Sequence, residues 1–166
     1  DLTIKDDTAE CFNRRYFEEF IVEEMARANR FRTPMSLIFF DMDNLKEVNT
    51  RLGHAAGSRT LLEVSERVRG KIRKFDKLFR FGGDEFCIVL PSSTLREGAM
   101  IARRVLEVCR ADAEQCVGTD IPIAVSIGVA QWTREMGVFP DRLIAAADHA
   151  LYDAKKAGRN GFATYD

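Results

Sequence analysis

Apolar and polar positions along this chain switch between two periods, and the switches mark out its elements. From Asn13 to Asn29 the apolar residues Phe17, Phe20, Ile21, Met25 and Ala28 recur at three- and four-residue steps, which predicts an amphipathic helix. Arg32-Thr33-Pro34 ends it, because the residue before a proline disfavours the helical region. Met35-Ser36-Leu37-Ile38-Phe39-Phe40 is a nearly unbroken apolar run that reads as a buried strand and stops in acid at Asp41-Met42-Asp43. A short helix is expected from Asn44, then a loop around Gly53-His54-Ala55-Ala56-Gly57. The next helix carries Leu61, Leu62, Val64, Val68 and Ile72 on its inner side. Lys77 to Phe81 and Phe86 to Leu90 read as strands joined by Gly82-Gly83-Asp84-Glu85, a tight hairpin signal with glycines able to take positive φ. A helix follows from Leu95 to Arg110, presenting Ala99, Ala102, Val105, Leu106 and Cys109. Ile123 to Ala130 reads as a strand, Pro140 to Ala157 as a helix and Phe162 to Tyr165 as a last edge strand. Hairpins and strand–helix–strand units together predict an α+β fold, one sheet with helices packed on it.

At 166 residues, without internal repeat or low-complexity linker, the chain reads as one domain spanning 1–166. Its 46% apolar and 31% charged residues are ordinary for a globular protein. A net charge of −1 gives no basic field, which argues against binding a nucleic-acid polymer by its backbone, although local cations can still hold a small phosphorylated ligand. The apolar run at Met35 is far too short to cross a bilayer, so no membrane contact is expected of this domain. Asp1 to Asp7 lacks the basic and apolar regions of a signal peptide. Cys11, Cys87, Cys109 and Cys116 form no Cys-x-x-Cys pair beside a histidine cluster. They read as free, mostly packed thiols in a reducing cytoplasm, and not as a zinc site.

The chemistry is concentrated in the acids. Asp41 stands where a buried strand stops, and Asp84 and Glu85 stand at a hairpin tip. Strand ends can bring carboxylates to one point and hold them rigidly. Such a cluster suits Mg²⁺, which takes hard oxygen ligands and completes its shell with phosphate oxygens. Taken singly, an Asp-x-Asp after a strand is most often a pair of solvated turn acids, and a Gly-Gly-Asp hairpin is most often only a turn. Lys155-Lys156 and Arg159 likewise read first as a solvated helix end stabilised by the helix dipole. His54 has the chemistry of an acid or base, but packing within its glycine loop is the simpler reading, and His149 falls on a helix surface.

In combination and in this order, the segments resemble the GGDEF family across nearly the whole chain. Gly82-Gly83-Asp84-Glu85-Phe86 is the intact signature, and Asp41-Met42-Asp43-Asn44-Leu45-Lys46 resembles the family's D-x-D-x-F-K segment with Leu45 in place of Phe. Asn49 and Gly53-His54 follow at the family's offsets, Ser126-Ile127-Gly128 is similar to a later strand motif, and Ala147 to Lys155 with Gly158-Arg159-Asn160 resembles the closing A-D-x-A-L-Y-x-A-K…G-R-N. The resemblance implies a palm-like nucleotide cyclase fold, with a central mixed, mainly antiparallel sheet flanked by helices. It implies Mg²⁺, with Mn²⁺ as an alternative, held by Asp41, the Met42 carbonyl, Asp84 and Glu85. Asp84, Glu85 and Lys46 then form the catalytic set. The triphosphate is held by backbone N–H groups at Asn44 and Leu45, at a helix start, and by Lys46, Lys155 and Arg159. The implied reaction is attack of one nucleotide's 3′-OH on the α-phosphorus of another, with pyrophosphate leaving, which requires two chains to face each other as a homodimer.

Two departures and one further match refine this. The family reads guanine with an Asn and an Asp; Asn49 matches the first, but Ser58 stands at the second. Aspartate accepts from guanine N1–H and its amine, whereas adenine presents a lone pair there; a serine hydroxyl can donate or accept. This serine resembles the hybrid promiscuous branch of the family, which uses ATP and GTP and makes cyclic GMP-AMP. Secondly, Asp6 to Arg15 retains Asn13-Arg14-Arg15 of the family's D-x-L-T-G-L-x-N-R-R segment but not its centre, which bears on how residues 1–12 link to an upstream regulatory domain. Thirdly, Arg73-Lys74-Phe75-Asp76 lies at the spacing of the family's R-x-x-D product-inhibition site, with Arg104 as its further arginine, or else is a charged helix terminus. The competing functions are a conventional diguanylate cyclase using two GTP and a non-catalytic receptor for GTP or a cyclic dinucleotide. The second is disfavoured because Asp41, Lys46, Asp84 and Glu85 are all present.

Overall fold

The strand Met35–Met42 (β1) is apolar on both faces because it lies at the centre of the sheet and is covered on both sides. The structure, a computed structural model, describes residues 3–110, 121 and 123–166; Cys116 lies outside them. Around β1 the elements run α1 (Arg14–Phe31), α2 (Leu45–Leu52), α3 (His54–Arg69), β2 (Lys77–Arg80), β3 (Glu85–Pro91), α4 (Leu95–Arg110), β4 (Val125–Gln131), a 3₁₀ turn at Arg134–Met136, α5 (Asp141–Lys156) and β5 (Phe162–Thr164). The strand order is β2-β3-β1-β4-β5, with β1 antiparallel to β3 and β4, β2 antiparallel to β3, and only β4–β5 parallel. The mixed, mainly antiparallel α+β sheet expected from the sequence is therefore present.

Strand alternation divides the core in two. Ile38, Phe40 and Met42 of β1 pack with Leu61, Val64 and Val68 of α3 and Ile101, Ala102 and Val105 of α4. Met35, Leu37 and Phe39 point the other way, to Phe17, Ile21 and Met25 of α1 and Leu143, Ala147 and Leu151 of α5. A one-residue slip of β1 would exchange these faces, so the register is strongly fixed. Cys11, Cys87 and Cys109 are buried, and burial pushes the Cys11 thiol up to about 12.

Several boundaries differ from expectation for local reasons. The Asn13 side chain accepts from the Tyr16 N–H at 2.9 Å and caps α1. At the other end Arg32 takes a left-handed φ of 55°, which lets the helix run on to Phe31 before Pro34. The expected loop from Gly53 to Gly57 shrinks to one residue: Gly53, at φ 90°, ends α2 and starts α3, so His54 to Gly57 are already helical. Helix α3 stops at Arg69, which leaves Ile72 beyond it, and Leu62 is exposed and not on the inner face. Ala99 is only half-buried; Gly98 is the buried residue of that turn.

The start of α4 is a reciprocal capping box. Thr94 Oγ1 accepts from the Glu97 N–H at 3.2 Å, and the Thr94 N–H donates to Glu97 Oε1 at 3.0 Å. The Thr94 N–H and the Thr94 hydroxyl, both donating to Glu97 Oε1, hold its carboxyl below its ordinary value. Thr94→Ala is expected to cost about 1 kcal/mol of stability. A thermal melt of that variant indistinguishable from the parent's would show that the cap is dispensable.

Candidate functional site

The site begins where β1 runs out of apolar residues. Asp41 pairs in register with Glu85 on β3 and with Ser126 on β4. By alternation its side chain shares the face of Met35, Leu37 and Phe39, which lies beneath α5. Helix α5 comes unusually close to β4 at Gly128, where a Cβ would sit 2.2 Å from the Leu151 N and 2.3 Å from the Ala147 O. Only glycine permits that approach, which gives the Ser126-Ile127-Gly128 segment a packing reason. The approach brings Lys155, in the last turn of α5, onto Asp41 Oδ2 as an ion pair.

Asp41 is 6% exposed, and its other oxygen, Oδ1, is buried without a hydrogen-bond partner among the described residues. Burial raises the Asp41 pKa; Lys155 opposes this, and the Asp84 and Asp43 charges add to it. Glu85 is raised by burial first and then by the charges of Asp84, Asp41 and Asp148. The site thus holds acids that repel one another and lack enough positive charge. Among the described residues no three His, Cys, Asp or Glu groups are placed to hold a metal by themselves. One or two carboxylates with a backbone carbonyl nevertheless fit an ion such as Mg²⁺, which draws the rest of its shell from phosphate and water. The partnerless Asp41 oxygen is the specific feature that fits it.

The hairpin is held from beneath. Arg80 donates through Nε to the Gly82 carbonyl at 3.2 Å and through an Nη to the Gly83 carbonyl at 2.8 Å, and it pairs with Asp6 at 3.2 Å. The Met42 N–H donates to the Asp84 carbonyl at 3.2 Å, pinning the tip to the end of β1. The hairpin closes without positive φ: Gly53, Gly137 and Gly158 take it, Gly82 and Gly83 do not. Gly82 instead leaves space for Glu85, whose Oε1 lies 2.9 Å from where a Cβ would stand.

Beside the hairpin, Lys46, Asn49, Ser58 and Asp84 line one open depression together with Leu45 and His54. Asn49 lies against the α3 backbone: a Cβ on Gly57 would come 1.8 Å from Asn49 Oδ1. Gly57 therefore seats Asn49 while Ser58, the next residue, stays exposed. His54 is exposed as well, so the expected packing within a glycine loop does not occur; with the loop absorbed into α3, it projects from the first helical turn. His149 is on the α5 surface as expected, 3.5 Å from Asp153.

The cations expected to hold phosphate are spread around the acids. Lys46 is exposed at the start of α2, near Asn44 and Leu45, while Lys155 pairs with Asp41 and Arg159 with Asp43 at 3.5 Å. The R-x-x-D residues are turned on each other. Arg73 donates to Asp76 through Nε at 2.9 Å and an Nη at 2.8 Å, and also to Ser93 Oγ. Arg73 and Arg104 line one groove, but the Asp76 side chain is fully buried under Arg73. A ligand reading both residues would have to open that pair.

Residue types and order did not mark Asp43, Ser126, Asn160, Arg80 or Asp148 as parts of the site. Asp43 was recoverable, since residues i and i+2 of a strand share a face. Ser126 is brought in by the pairing of β4 with β1 and Arg80 by β2 beneath the hairpin, whereas Asp148 and Asn160 come in with α5 and the turn that follows it.

The sequence model described as "Diguanylate cyclase, GGDEF domain" matches residues 3–161. The chain is 39% identical over 158 residues to the diguanylate cyclase DosC of Escherichia coli K12, covering 93% of this chain and 34% of that protein. It thus spans about a third of the length of that relative. Among solved structures, diguanylate cyclase SiaD of Pseudomonas aeruginosa, in complex with its activator SiaC, superposes with a TM-score of 0.88 at 32% identity, covering 96% of this chain and 60% of that one. The active GGEEF domain of a diguanylate cyclase from Vibrio cholerae superposes with a TM-score of 0.85 at 29% identity, covering 93% and 97%.

Proposed function

The chain belongs to the GGDEF domain family of diguanylate cyclases, and on that premise we propose that it joins two nucleoside triphosphates into a cyclic dinucleotide with release of pyrophosphate. With ATP and GTP together the product is 3′,3′-cyclic GMP-AMP, and cyclic di-GMP forms beside it or from GTP alone. The observation that carries the synthetic activity is the buried, partnerless Oδ1 of Asp41 beside Glu85 and Asp84. A receptor module has no need of such a cluster. The choice of product rests on Ser58 beside Asn49 in the depression.

Asp41, the Met42 carbonyl, Asp84 and Glu85 would hold Mg²⁺, or Mn²⁺ in its place. When bound, the ion offsets charge on the attacking and leaving oxygens of an in-line displacement. Lys46, Lys155, Arg159 and the N–H groups at Asn44 and Leu45 grip the triphosphate. Asn49 and Ser58 read the base. Asp84 or Glu85 would take the proton of the attacking 3′-OH. Lys155 exchanges its ion pair with Asp41 for phosphate as the nucleotide enters. A cyclic dinucleotide product, held by Arg73, Asp76 and Arg104, would inhibit by separating the Arg73–Asp76 pair. The cytoplasm, where both triphosphates are abundant, is the place we assign to the reaction.

The depression among the described residues would take one nucleotide and the product joins two, so two chains must meet face to face. Pyrophosphate release from GTP should require Mg²⁺, and its rate per enzyme should rise with enzyme concentration in the dilute range. A constant specific activity from a species shown to be monomeric would exclude the two-chain reaction.

A further inference from the structure

Asp43 is the second acid at the end of β1, and its side chain is only 4% exposed. Its Oδ1 accepts from Ser126 Oγ at 2.7 Å and pairs with Arg159 at 3.5 Å; its Oδ2 accepts from the Asn160 N–H at 3.1 Å. Both carboxylate oxygens are therefore engaged, in contrast to the open Oδ1 of Asp41. The turn that Asp43 grips is unusual. Gly158, Arg159 and Asn160 take φ of 119°, 64° and 47° in succession, and two of the three are not glycine. Single non-glycine residues in this region are disfavoured, so such a turn persists only where its surroundings hold it. Arg110, at the end of α4, supplies the other hold, donating through Nε to Asn160 Oδ1 at 3.0 Å and through an Nη to the Asn160 carbonyl at 2.5 Å.

The arrangement pairs two acids with two cations. Asp41 and Asp43 are two apart on one face of the strand end; Lys155 and Arg159 are four apart where α5 ends and turns. We propose that Asp43 is a positioning residue for triphosphate binding: it fixes the left-handed 158–160 turn and sets the direction of Arg159, and it does not hold the metal. This rests on the reading of Arg159 as a triphosphate contact. A guanidinium already oriented by one carboxylate loses less freedom when it meets phosphate, so losing the anchor weakens binding even though Arg159 remains.

The test uses 3′-deoxy-GTP, which lacks the attacking hydroxyl and reports binding without turnover, titrated with Mg²⁺ into the parent, Asp43→Ala, Asp43→Asn, Arg159→Ala and the Asp43→Ala/Arg159→Ala double variant. Asp43→Ala should weaken binding about tenfold, Arg159→Ala by at least as much, and the double variant no more than the weaker single one. Asp43→Asn, which keeps one acceptor oxygen, should fall between parent and alanine. The Mg²⁺ concentration giving half-maximal binding should stay within about twofold of the parent's in every variant, and in turnover KM should rise with kcat largely kept. Additive losses, or a large rise in the Mg²⁺ requirement of Asp43→Asn, would overturn the positioning role. A parent that binds 3′-deoxy-GTP with Asp43→Ala as its equal overturns this inference alone. A parent that binds none overturns the functional reading together with it.

Discussion

Asp84→Ala and Asp41→Ala should each lower cyclic dinucleotide formation on the order of a thousandfold or more while the domain stays folded. The loss follows because each removes a charge from the cluster that would hold the metal and the reacting oxygens. The survival of the fold follows because Asp41→Ala removes an acid that burial disfavours in its charged form, and Asp84→Ala removes a charge that raises both Asp41 and Glu85. Asp41 and Glu85 are both raised, chiefly by burial. A carboxylate whose folded pKa lies above its unfolded one binds protons more tightly in the fold. The metal-free domain therefore loses stability as pH rises through the ordinary carboxylate range towards the raised values, and above them it carries the full cost of the charged acids. Glu85→Gln should accordingly melt at or above the parent's temperature in EDTA at neutral pH while losing activity, and Mg²⁺ should raise the parent's Tm more than the variant's. Near-normal turnover by a folded Asp41→Ala or Asp84→Ala variant would remove the metal-assisted reading.

The second large effect concerns the product. Ser58 is exposed at the first turns of α3, beside Asn49, which lies against Gly57. An aspartate at that position would accept from guanine N1–H and the exocyclic amine, and would set a carboxylate against the N1 lone pair of adenine. Recognition of guanine and rejection of adenine then act together. A hydrogen bond to a charged group contributes about 1.5–3 kcal/mol, roughly ten- to hundredfold in base selection. Ser58→Asp should shift output in mixed ATP and GTP from cyclic GMP-AMP towards cyclic di-GMP, with total turnover largely preserved because Asp41, Asp84 and Glu85 are untouched. An unchanged product ratio would mean that base choice is made by other residues.

Much of this was legible in the residues. The apolar run of β1 ending at Asp41, the Gly82-Gly83-Asp84-Glu85 tip and the three-four spacing in α1 and α4 gave the sheet, the helices and the position of the acids. Physical limits on local reasoning explain the rest. The length of α3 depended on whether Gly53 alone could turn the chain, and periodicity does not report that. Residue type allows positive φ at Gly82 and Gly83, but the four-residue connection between β2 and β3 closes without it. The Arg73–Asp76 pair is local in sequence, but its burial against Ser93 is set by how residues 73–76 pack against the segment following β3. The Asp43–Ser126–Asn160 cluster joins segments far apart in the chain, and the pairing of β4 with β1 and the close approach of α5 at Gly128 together assemble it.

The measurement that bears most directly on the central claim is incubation of the unmodified protein with Mg²⁺ and equal ATP and GTP, with products identified and quantified by mass spectrometry. The account predicts cyclic GMP-AMP as the main species with cyclic di-GMP beneath it, and neither in EDTA. Absence of any cyclic dinucleotide from this mixture would contradict it.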